Sequence, residues 1–400
     1  MHARRVFILA VTLVLTSATG LVVAQRNNDK NQQKSQRPPQ EQQDAQTLVT
    51  LVDTMLMADM GITMPAPGAP QPAAPVTPKP LIIGAPDRTE GGIPVKWESN
   101  YFVKGPGGET YIPFTISLDK SKVATGAALF IRVVNSEEAA AFGTAIAMLA
   151  TPPQGNKPPA APARLTYSWE NLHFLDVPDD GKLSRAIQLK PGQYVVFVAV
   201  KEKSPAPANQ RNDRNRNDRN AAPPSAVPAV TGLLRHEITV PDYNVSGLRT
   251  SSIVLAQSIE PLDAPIPADQ QESNPYVFGV GRITTSFDGK FSKGGVLNVF
   301  FFIYGAKEAA SSKPDLVVDF SFYQRSSEGE KYFIKTQPRP QNAETLPPQF
   351  SLSAGHQLFE LIGIPLTSFQ SGDYRLEVKV TDKSSGTEMT QSVNFTVLPV

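Results

Sequence analysis

The feature that most constrains the fold of this chain is a strict alternation of apolar and polar side chains near the C-terminus. Between Tyr374 and Val380 every second residue is apolar, and the residues between them are charged. Successive side chains of a β-strand point to opposite faces, so this pattern predicts a strand with one buried and one solvated face. A turn at 383–386 and a second alternation over 392–397 predict its hairpin partner.

The same pattern occurs earlier in the chain, where Gly192-Gln-Tyr194 opens a strand as Gly372-Asp-Tyr374 does. Other segments also match in the same order. The matched segments are 118–140 with 287–310, 192–203 with 372–383, and 238–241 with 395–399. Internal similarity of this kind predicts a repeat, so we expect residues 85–245 and 246–400 to be tandem copies of one module.

Both copies contain strands separated by Gly/Pro turns, and neither shows a second strong helical pattern. This predicts an all-β protein of two tandem immunoglobulin-like antiparallel β-sandwiches, with a jelly roll or barrel as the alternative. Tyr194 and Tyr374 open the penultimate strands and are predicted to form the tyrosine corners of such folds. Alternation over 165–170 places Trp169 inward on a middle strand.

The two copies differ on the second face of the penultimate strand. Val195, Phe197 and Ala199 make this face apolar in the first copy, whereas the equivalent residues of the second copy are charged. A strand that is apolar on both faces is covered on both faces. We expect the cover to be the N-terminal helix, the other copy or a partner. In the second copy, residues 299–304 are apolar on both faces and predict a central strand.

Residues 1–24 have the pattern of an export signal. Arg4 and Arg5 precede an apolar run over 6–15, and small side chains precede a cleavage site near Ala24. The run is shorter than the ~20 residues that a bilayer span requires, so we expect no membrane span after the signal is removed. The prediction is an exported protein, periplasmic or extracellular, that uses the general or the twin-arginine route.

Three segments follow the export signal. Residues 25–43 are polar and are expected to be disordered, and residues 61–84 read as a Pro/Ala-rich linker. Between them, residues 44–60 predict a short amphipathic helix with an apolar stripe at helical spacing. The stripe consists of Leu48, Leu51, Val52, Met55 and Leu56. A helix this short is marginal alone in water, so its stripe packs either on its own domain or on a partner.

Two low-complexity insertions lie in the first copy, near 151–163 and 204–229. The second insertion contains an Arg/Asn-rich run at 210–220 without aromatic residues. Proteins that bind single-stranded nucleic acid combine basic residues with aromatic ones, and the whole chain has a formal net charge of only +1. We interpret the run as a solvated spacer and expect no nucleic-acid partner; an anionic contact is the alternative.

Residues that carry chemistry are sparse in this sequence. The chain has no cysteine, which excludes disulfides, thiolate zinc sites and iron–sulfur clusters. Its four histidines lie far apart without metal-binding spacing, and its glycine-rich stretches match no nucleotide-binding loop. We therefore expect no catalytic residues, no metal and no cofactor. An enzyme built on dispersed acidic residues is the alternative.

One aromatic cluster suits a different class of ligand. Trp97 lies close in sequence to Tyr101 and Phe102. Aromatic rings of this kind have an apolar body on which a sugar ring can stack. Trp97 and Tyr101 are therefore candidate glycan contacts, and an ordinary aromatic cluster at an edge strand is the alternative.

Three segments carry a resemblance to a known group of proteins. They are Tyr-Ile-Pro-Phe-Thr at 111–115, Leu-Pro-Pro-Gln-Phe at 346–350 and the strand at 372–382. With these segments the chain, over residues 40–400, resembles uncharacterised exported proteins of soil bacteria, of acidobacterial type, with tandem immunoglobulin-like β-sandwich modules. The resemblance implies a fold and brings no catalytic residue with it.

The repeat and the sparse chemistry together predict a non-enzymatic exported protein. We expect it to act in protein–protein interaction or as an envelope scaffold, through its β-sandwich modules. The expected partner is an envelope or extracellular protein. The alternative is a carbohydrate-binding exported protein, whose partner is a polysaccharide.

Overall fold

The computed structural model describes residues 39–62, 77–150, 165–204, 230–309 and 312–399. The predicted export signal at 1–24 lies outside the described residues. So do most of the predicted tail, the middle of the predicted linker, and nearly all of both predicted insertions. Over the described residues the chain forms two α-helices, α1 (Pro39–Asp59) and α2 (Ser136–Ala150), and three short 3-10 helices at Pro106–Gly108, Lys120–Lys122 and Ala268–Gln270.

The remaining elements are β-strands, which confirms the predicted all-β class. The strands up to residue 240 are β1 (Arg88–Gly91), β2 (Val95–Asn100), β3 (Val103–Lys104), β4 (Thr110–Leu118), β5 (Ala127–Val134), β6 (Trp169–Leu175), β7 (Lys182–Leu189), β8 (Gly192–Glu202) and β9 (Thr231–Val240). Those after it are β10 (Arg249–Thr250), β11 (Val254–Pro261), β12 (Val277–Phe278), β13 (Gly281–Thr285), β14 (Lys290–Ser292), β15 (Val296–Tyr304), β16 (Leu316–Ser326), β17 (Gly329–Lys335), β18 (Arg339–Gln341), β19 (Leu358–Pro365), β20 (Gly372–Asp382) and β21 (Thr387–Leu398).

The chain divides into two compact units that are not contiguous in sequence. The first unit comprises Met1–Trp97, Ile116–Leu183 and Gly192–Thr239. The second comprises Glu98–Thr115, Ser184–Pro191 and Val240–Val400. The predicted module boundary at 245 lies near the last of these divisions. However, residues 98–115 and 184–191 belong to the second unit rather than to the first.

An aromatic core explains why these two segments belong to the second unit. Tyr111 and Ala186 are buried in one cluster with Phe300 and Phe302 of β15. Burial of apolar side chains, rather than order along the chain, decides which segments form a compact unit. Sequence periodicity alone does not contain this information.

Each unit contains a sheet in which five strands follow the same order. The order is β1-β9-β8-β5-β6 in the five-stranded sheet of the first unit and β14-β21-β20-β16-β17 in the six-stranded sheet of the second, where β18 also pairs with β16. In both sheets the last two long strands of the unit are neighbours, β8 with β9 and β20 with β21. The second unit adds the sheet β10-β15-β11-β13-β12, with β19 paired to β15. This architecture is that of immunoglobulin-like β-sandwiches.

The shared order corrects one of the predicted segment matches. The match of 118–140 with 287–310 aligns β5 with β15. In the structure β5 lies beside β8, and the strand beside β20 is β16 rather than β15. The alignment is therefore wrong at this strand. The tandem repeat itself stays a prediction, which the common strand order supports.

The position of β6 corrects a second expectation. We predicted that Trp169 would point inward from a middle strand. Instead β6 ends its sheet, with Trp169 half-buried opposite Val133 of β5. The prediction of a central strand at 299–304 is confirmed, because β15 pairs with β11 on one side and with β19 on the other.

The second helix was not expected from the sequence. Helix α2 follows a capping box in which Asn135 Oδ1 accepts from the Glu138 N–H at 2.9 Å, and Glu138 Oε2 accepts from the Asn135 N–H at 3.0 Å. Such reciprocal bonds satisfy backbone donors that the first helical turn leaves free. The signal Asn-x-x-Glu before an alanine-rich run was present in the sequence, but the sequence analysis found no second strong helical pattern in either copy.

The core of the second unit lies between its two large sheets. Phe301 of β15 packs there against Phe320 of β16, with ring centroids 6.3 Å apart. Tyr374 and Phe395 stack at 5.4 Å within the same core. This core fixes the two sheets and leaves the outer face of each sheet for other contacts.

Candidate functional site

Helix α1 covers the outer face of the five-stranded sheet in the first unit. It packs on β8 and β5, in one core cluster with Val195, Phe197 and Ala199. Of the three covers that we considered for this apolar face, the structure shows the helix. The helix also begins at Pro39, so residues 39–43 are helical rather than part of a disordered tail.

The apolar stripe of α1 is therefore inside the unit and is not open to a partner. Its members Leu48, Val52, Met55 and Leu56 are buried, and Leu51 is half-buried against the same cluster. The interpretation that the helix packs on its own domain is confirmed, and the partner-docking interpretation is wrong. Two apolar surfaces with matching patterns within one chain bury each other because burial removes both from water.

Four ion pairs also attach α1 to the sheet. Three of them are buried or nearly so and join the aspartates of the helix to basic residues of β8, β5 and β9, namely Asp44 to Lys201, Asp53 to Arg132 at 2.5 Å and Asp59 to Arg235 at 2.7 Å. The fourth joins Asp59 to the more exposed Arg88 of β1 at 2.8 Å. A buried charge is costly unless it is paired, so the three buried pairs define one register of the helix on the sheet.

Arg132 is the central charge beneath the helix. Its Nε donates to Glu170 at 2.9 Å, and the Tyr167 ring lies 4.1 Å from the guanidinium carbon. Burial raises the pKa of Glu170 above its usual range, although the Arg132 charge opposes this. Burial also acts to lower the pKa of Arg132, but Asp53, Tyr167 and Glu170 outweigh it and the net direction is upward. The guanidinium therefore stays charged.

Residues 77–84, the end of the predicted linker, are packed on the same unit. The Lys79 N–H donates to the Met60 carbonyl at 2.9 Å, and Leu81 is buried beside the helix. Glu237 accepts hydrogen bonds from the N–H groups of Gly84 and Ala85. The helix is thus held at its C-terminal end by chain that follows it.

The glycan candidate Trp97 lies beside a pocket of the first unit. Its ring stacks on the His236 imidazole with centroids 4.4 Å apart, and it is only 9% exposed. His236 Nδ1 in turn contacts the Asp87 carboxylate at 2.8 Å. The pocket has a volume of about 470 Å³, and Asp87, Lys96, Trp97 and Asp119 are among its lining residues.

The second glycan candidate, Tyr101, belongs to the other unit. Its ring meets the Tyr276 ring edge-on at 6.0 Å, and burial raises the pKa of its phenol to about 12. Neither Trp97 nor Tyr101 presents an open ring face, which is what a shared sugar-stacking platform requires. The assignment of both residues to one platform is therefore not supported.

The predicted tyrosine corner at Tyr374 has the expected geometry. Its hydroxyl donates to the Gln370 carbonyl at 3.0 Å, four residues upstream of the ring. A bond of this kind pins the start of the strand to the preceding turn. Tyr194 is buried at the matching position of β8, where its corner bond stays a prediction.

The described residues contain no cluster of metal ligands. Among them, no group of three or more His, Asp or Glu side chains is placed to hold a metal ion. His356 Nδ1 accepts from the Ser351 N–H at 3.1 Å and acts there as a loop contact. In the part of the chain that the structure describes, no helix is both long and apolar enough to cross a bilayer.

The second unit exposes an apolar surface that the sequence reasoning missed. On the outer face of β19, Phe359 is 52% and Leu361 40% exposed, and Val296 of the neighbouring β15 is 44% exposed. In register, Leu361 lies opposite Phe300, whose ring is 6.1 Å from that of Phe359. We call Val296, Phe359 and Leu361 the β19 face. The sequence signal for this surface was that β15 is apolar on both faces, the same signal that we used for β8.

Comparisons with solved structures find two weak similarities. An immunoglobulin-like protein of Pseudomonas aeruginosa is 13% identical over 37% of this chain and 97% of that chain, with a TM-score of 0.17. Trypsin-activated alpha-2-macroglobulin of Escherichia coli is 12% identical over 76% of this chain, with a TM-score of 0.19. The match spans 16% of the macroglobulin. These scores carry no argument about function, and the fold assignment rests on the strand order.

No family model matches the chain, and no curated protein matches it. The resemblance to acidobacterial-type exported proteins therefore stays a prediction. What the chain does has to be argued from its own surfaces.

Proposed function

We propose that this is an exported, non-enzymatic interaction protein that binds an envelope or extracellular protein through the β19 face. The observation that carries the proposal is the exposure of Val296, Phe359 and Leu361 on neighbouring strands of one sheet. Large exposed apolar patches on soluble proteins mark interaction sites more often than not. An aromatic anchor such as Phe359 is typical of the residues that dominate binding energy at protein interfaces.

The support beneath this face is rigid. Glu360, between the two exposed residues, points inward and pairs with Arg339 and Gln341. Phe302 and Phe300 of β15 lie beside Phe359 and Leu361 on the same face of the sheet and are each only 8% exposed. A rigid support lowers the entropy that is lost when a partner orders the surface, which favours binding.

The test compares two exposed pairs, each of one aromatic and one aliphatic residue, at different positions in the second unit. The bait carries Phe359→Ser with Leu361→Ser, and the control carries Tyr332→Ser with Ile334→Ser on β17, where Tyr332 is 63% exposed. We expect the natural chain and the control to recover the same protein from envelope extract. Recovery with the β19-face variant should fall by about tenfold or more, as for loss of an interface anchor. Equal recovery by all three baits would contradict the proposal.

A second candidate function is carbohydrate binding at the pocket beside Trp97. The observation that favours it is the 470 Å³ pocket that Trp97 lines together with Lys96, Asp87 and Asp119. Carboxylate and ammonium groups at a pocket rim can hydrogen-bond sugar hydroxyls, while the apolar wall contacts the ring. This site uses one edge of the Trp97 ring rather than an open face.

The chain offers a direct optical test of this candidate because it contains only two tryptophans, Trp97 and Trp169. A Trp169→Phe variant leaves Trp97 as the reporter. Binding of polysaccharide should change its fluorescence, and Asp119→Ala at the exposed rim should weaken the change. A polysaccharide that binds without altering Trp97 emission would exclude this pocket.

A further inference from the structure

The sheet that contains β20 has a polar outer face, on which side chains of four neighbouring strands lie in a row. The row runs from Asn394 of β21 through Arg375 of β20 and Tyr323 of β16 to Tyr332 of β17. We call these four residues the tyrosine row. Residues that pair directly across neighbouring strands share a face. Three strand spacings of ~4.7–4.9 Å make the row about 14 Å long.

Tyr332 brings an exposed aromatic ring to one end of the row. It is 63% exposed, and the Tyr323 ring meets it at an angle of 79° with the ring centroids 5.9 Å apart. The glycan candidate Trp97, in contrast, is only 9% exposed and has no open ring face. The ring of Tyr332 therefore has room for the apolar face of a ligand ring, which that of Trp97 lacks.

Arg375 holds the middle of the row in place. Its guanidinium carbon lies 4.3 Å from the centre of the Tyr323 ring. Its Nε and Nη2 both donate to Glu330, at 2.9 and 2.7 Å, and its Nη1 donates to Glu377 at 2.7 Å. Charge-assisted bonds on two sides fix the guanidinium, and with it both carboxylates. Groups that are already ordered lose little entropy when a ligand binds.

Polar side chains continue the face beyond the other end of the row. Thr390, Ser392 and Asn394 alternate along β21 and are exposed. They pair in register with the outward-facing residues of β20. Hydroxyl and amide groups both donate and accept hydrogen bonds, and a carboxylate accepts several. This combination matches sugar hydroxyls, which donate and accept as well.

The charges of this face favour a neutral ligand. Lys379 pairs with Glu388 at 2.8 Å, and Lys335 pairs with Asp319 at 3.0 Å. A surface of mixed and paired charge does not attract a polyanion as a surface of one sign does. The apolar part of the face is confined to the end at Tyr332, whereas a protein interface has an apolar centre. A sugar ring fits this arrangement better than a protein surface does.

We propose that the tyrosine row binds a neutral polysaccharide. One sugar ring stacks on Tyr332, and hydroxyls of this sugar and its neighbours form hydrogen bonds with Glu330, Glu377 and Asn394. Stacking uses the apolar body of the aromatic ring, and the polar groups beside it fix the orientation of the sugar. Because the row crosses four strands, it accommodates a chain of sugars rather than a single one.

This inference goes beyond the proposed function. The tyrosine row lies on a different sheet from the β19 face and takes a different class of ligand, and it lies in a different unit from the Trp97 pocket. The variant Phe359→Ser/Leu361→Ser should therefore lose the protein partner and keep the polysaccharide. The variant Tyr332→Ser/Ile334→Ser should do the reverse, so the failure of one proposal leaves the other intact.

Affinity electrophoresis in native gels tests the proposal, because a polysaccharide in the gel retards a protein that binds it. The protein is the natural chain without its predicted export signal. The gels contain a β-glucan, xylan or galactomannan as neutral probes and polygalacturonate as the anionic probe. We expect at least one neutral polysaccharide to retard the natural chain. Tyr332→Ala should weaken this binding about tenfold, as for truncation of an aromatic anchor, whereas Tyr332→Phe keeps the ring and should bind nearly as well as the natural chain.

Phe359→Ala is the matched control, since it removes an exposed aromatic ring from another sheet of the same unit. It should leave polysaccharide binding unchanged, and so should Asp119→Ala beside the Trp97 pocket. Equal retardation of Tyr332→Ala and the natural chain would overturn the proposal. So would retardation of the natural chain by polygalacturonate alone or by none of the polysaccharides.

A second variant protects the test against a loss of binding through misfolding. Glu377→Ala leaves both tyrosines in place and should weaken binding about fivefold, as for the loss of one hydrogen bond. Thermal unfolding of Tyr332→Ala and Glu377→Ala should match that of the natural chain closely, because both side chains lie near solvent. A Glu377→Ala chain that binds as tightly as the natural chain would overturn the role of this carboxylate.

Discussion

The matching sheets of the two units share a strand order, but their outer faces have opposite character. In the first unit Phe197 of β8 is buried beneath α1. In the second unit Glu377 occupies the matching place on β20 and pairs with Arg375 at 2.7 Å on a partly solvated face. The same order of strands therefore serves as an interior layer in one unit and as a surface in the other. The side chains on one face of one central strand decide which.

The charges of the two sheets differ in the same sense. Beneath α1 the ion pairs are buried, as for Asp53 with Arg132. On the second sheet they form a ladder near solvent, as for Lys379 with Glu388 at 2.8 Å. Exposed pairs contribute little because water already solvates both ions. A charge that has been removed from water needs an opposite charge beside it. Buried pairs therefore fix the register of the helix on the sheet and add little net stability.

The largest expected effect comes from truncating the covered face. Phe197→Ala should lower the free energy of unfolding by about 3–5 kcal/mol, because it leaves a cavity beneath α1. The matched change Glu377→Ala on the second sheet should cost less than about 1 kcal/mol, since that side chain is near solvent. Chemical denaturation of both variants measures the difference. Similar losses from the two changes would contradict the assignment of one face as interior and the other as surface.

Removal of one buried charge should have the next largest effect. Asp53→Ala leaves Arg132 buried with Glu170 as its remaining partner, and we expect a loss of about 3 kcal/mol. Glu330→Ala, which removes the exposed partner of Arg375, should have a much smaller effect, because water solvates that carboxylate. Denaturation at low and high salt separates the two, because salt screens the exposed pair and not the buried one. A salt-sensitive Asp53 contribution would show that the helix does not exclude water.

A smaller effect compares the two predicted tyrosine corners. Tyr374→Phe removes the hydrogen bond to Gln370 and should cost about 1 kcal/mol. If Tyr194 forms the same corner in the first unit, Tyr194→Phe should cost the same amount. Thermal unfolding of the two variants checks this, and a neutral Tyr194→Phe would restrict the corner to the second unit.

The smallest expected effects are those of pH, and they have opposite signs in the two sheets. Burial raises the pKa of Glu170 above its usual value of 4.5, so the folded state holds this proton more tightly than the unfolded state does. Its contribution to stability is therefore present below about pH 4.5 and is lost as pH rises through the raised pKa. Hydrogen bonding from Lys379 lowers the pKa of Glu388, so its contribution is present above that pH and is lost on acidification.

The measurement is the stability of two variants against pH. Relative to Glu170→Gln, the natural chain should become more stable as pH falls from neutrality toward pH 4.5. Relative to Glu388→Gln, it should become less stable as pH falls below 4.5, the usual value for this group. If the stability difference from the Gln variant changed in the same direction with falling pH for both glutamates, the two sheets would not differ in this way.

Local patterns in the sequence predicted strand β20 and the need for a cover over β8. Alternation identified β20, and the doubly apolar face of β8 required a cover, which the sequence left open among the N-terminal helix, the other copy and a partner. Strands separated by Gly/Pro turns predicted the sandwich class. These features depend on the spacing at which apolar side chains recur along the chain, and this spacing can be read from a single sequence.

What the sequence did not reveal depends on contacts between distant residues. The transfer of residues 98–115 to the second unit follows from the packing of Tyr111 with Phe300, which no local period encodes. The edge position of β6, and hence the place of the half-buried Trp169 on an edge strand, follows from strand order. Helix α2 had a local signal, the capping pair Asn135 and Glu138, which the sequence analysis missed.

Helix α1 is an integral layer of the first unit, and hydrogen–deuterium exchange on the natural chain can test this by comparing amides 48–56 of α1 with amides 195–200 of β8. We expect both sets to exchange together and slowly, because the helix and the strand open only when the unit unfolds. Fast exchange of α1 beside slow exchange of β8 would show instead that the helix detaches from a sheet that stays folded without it.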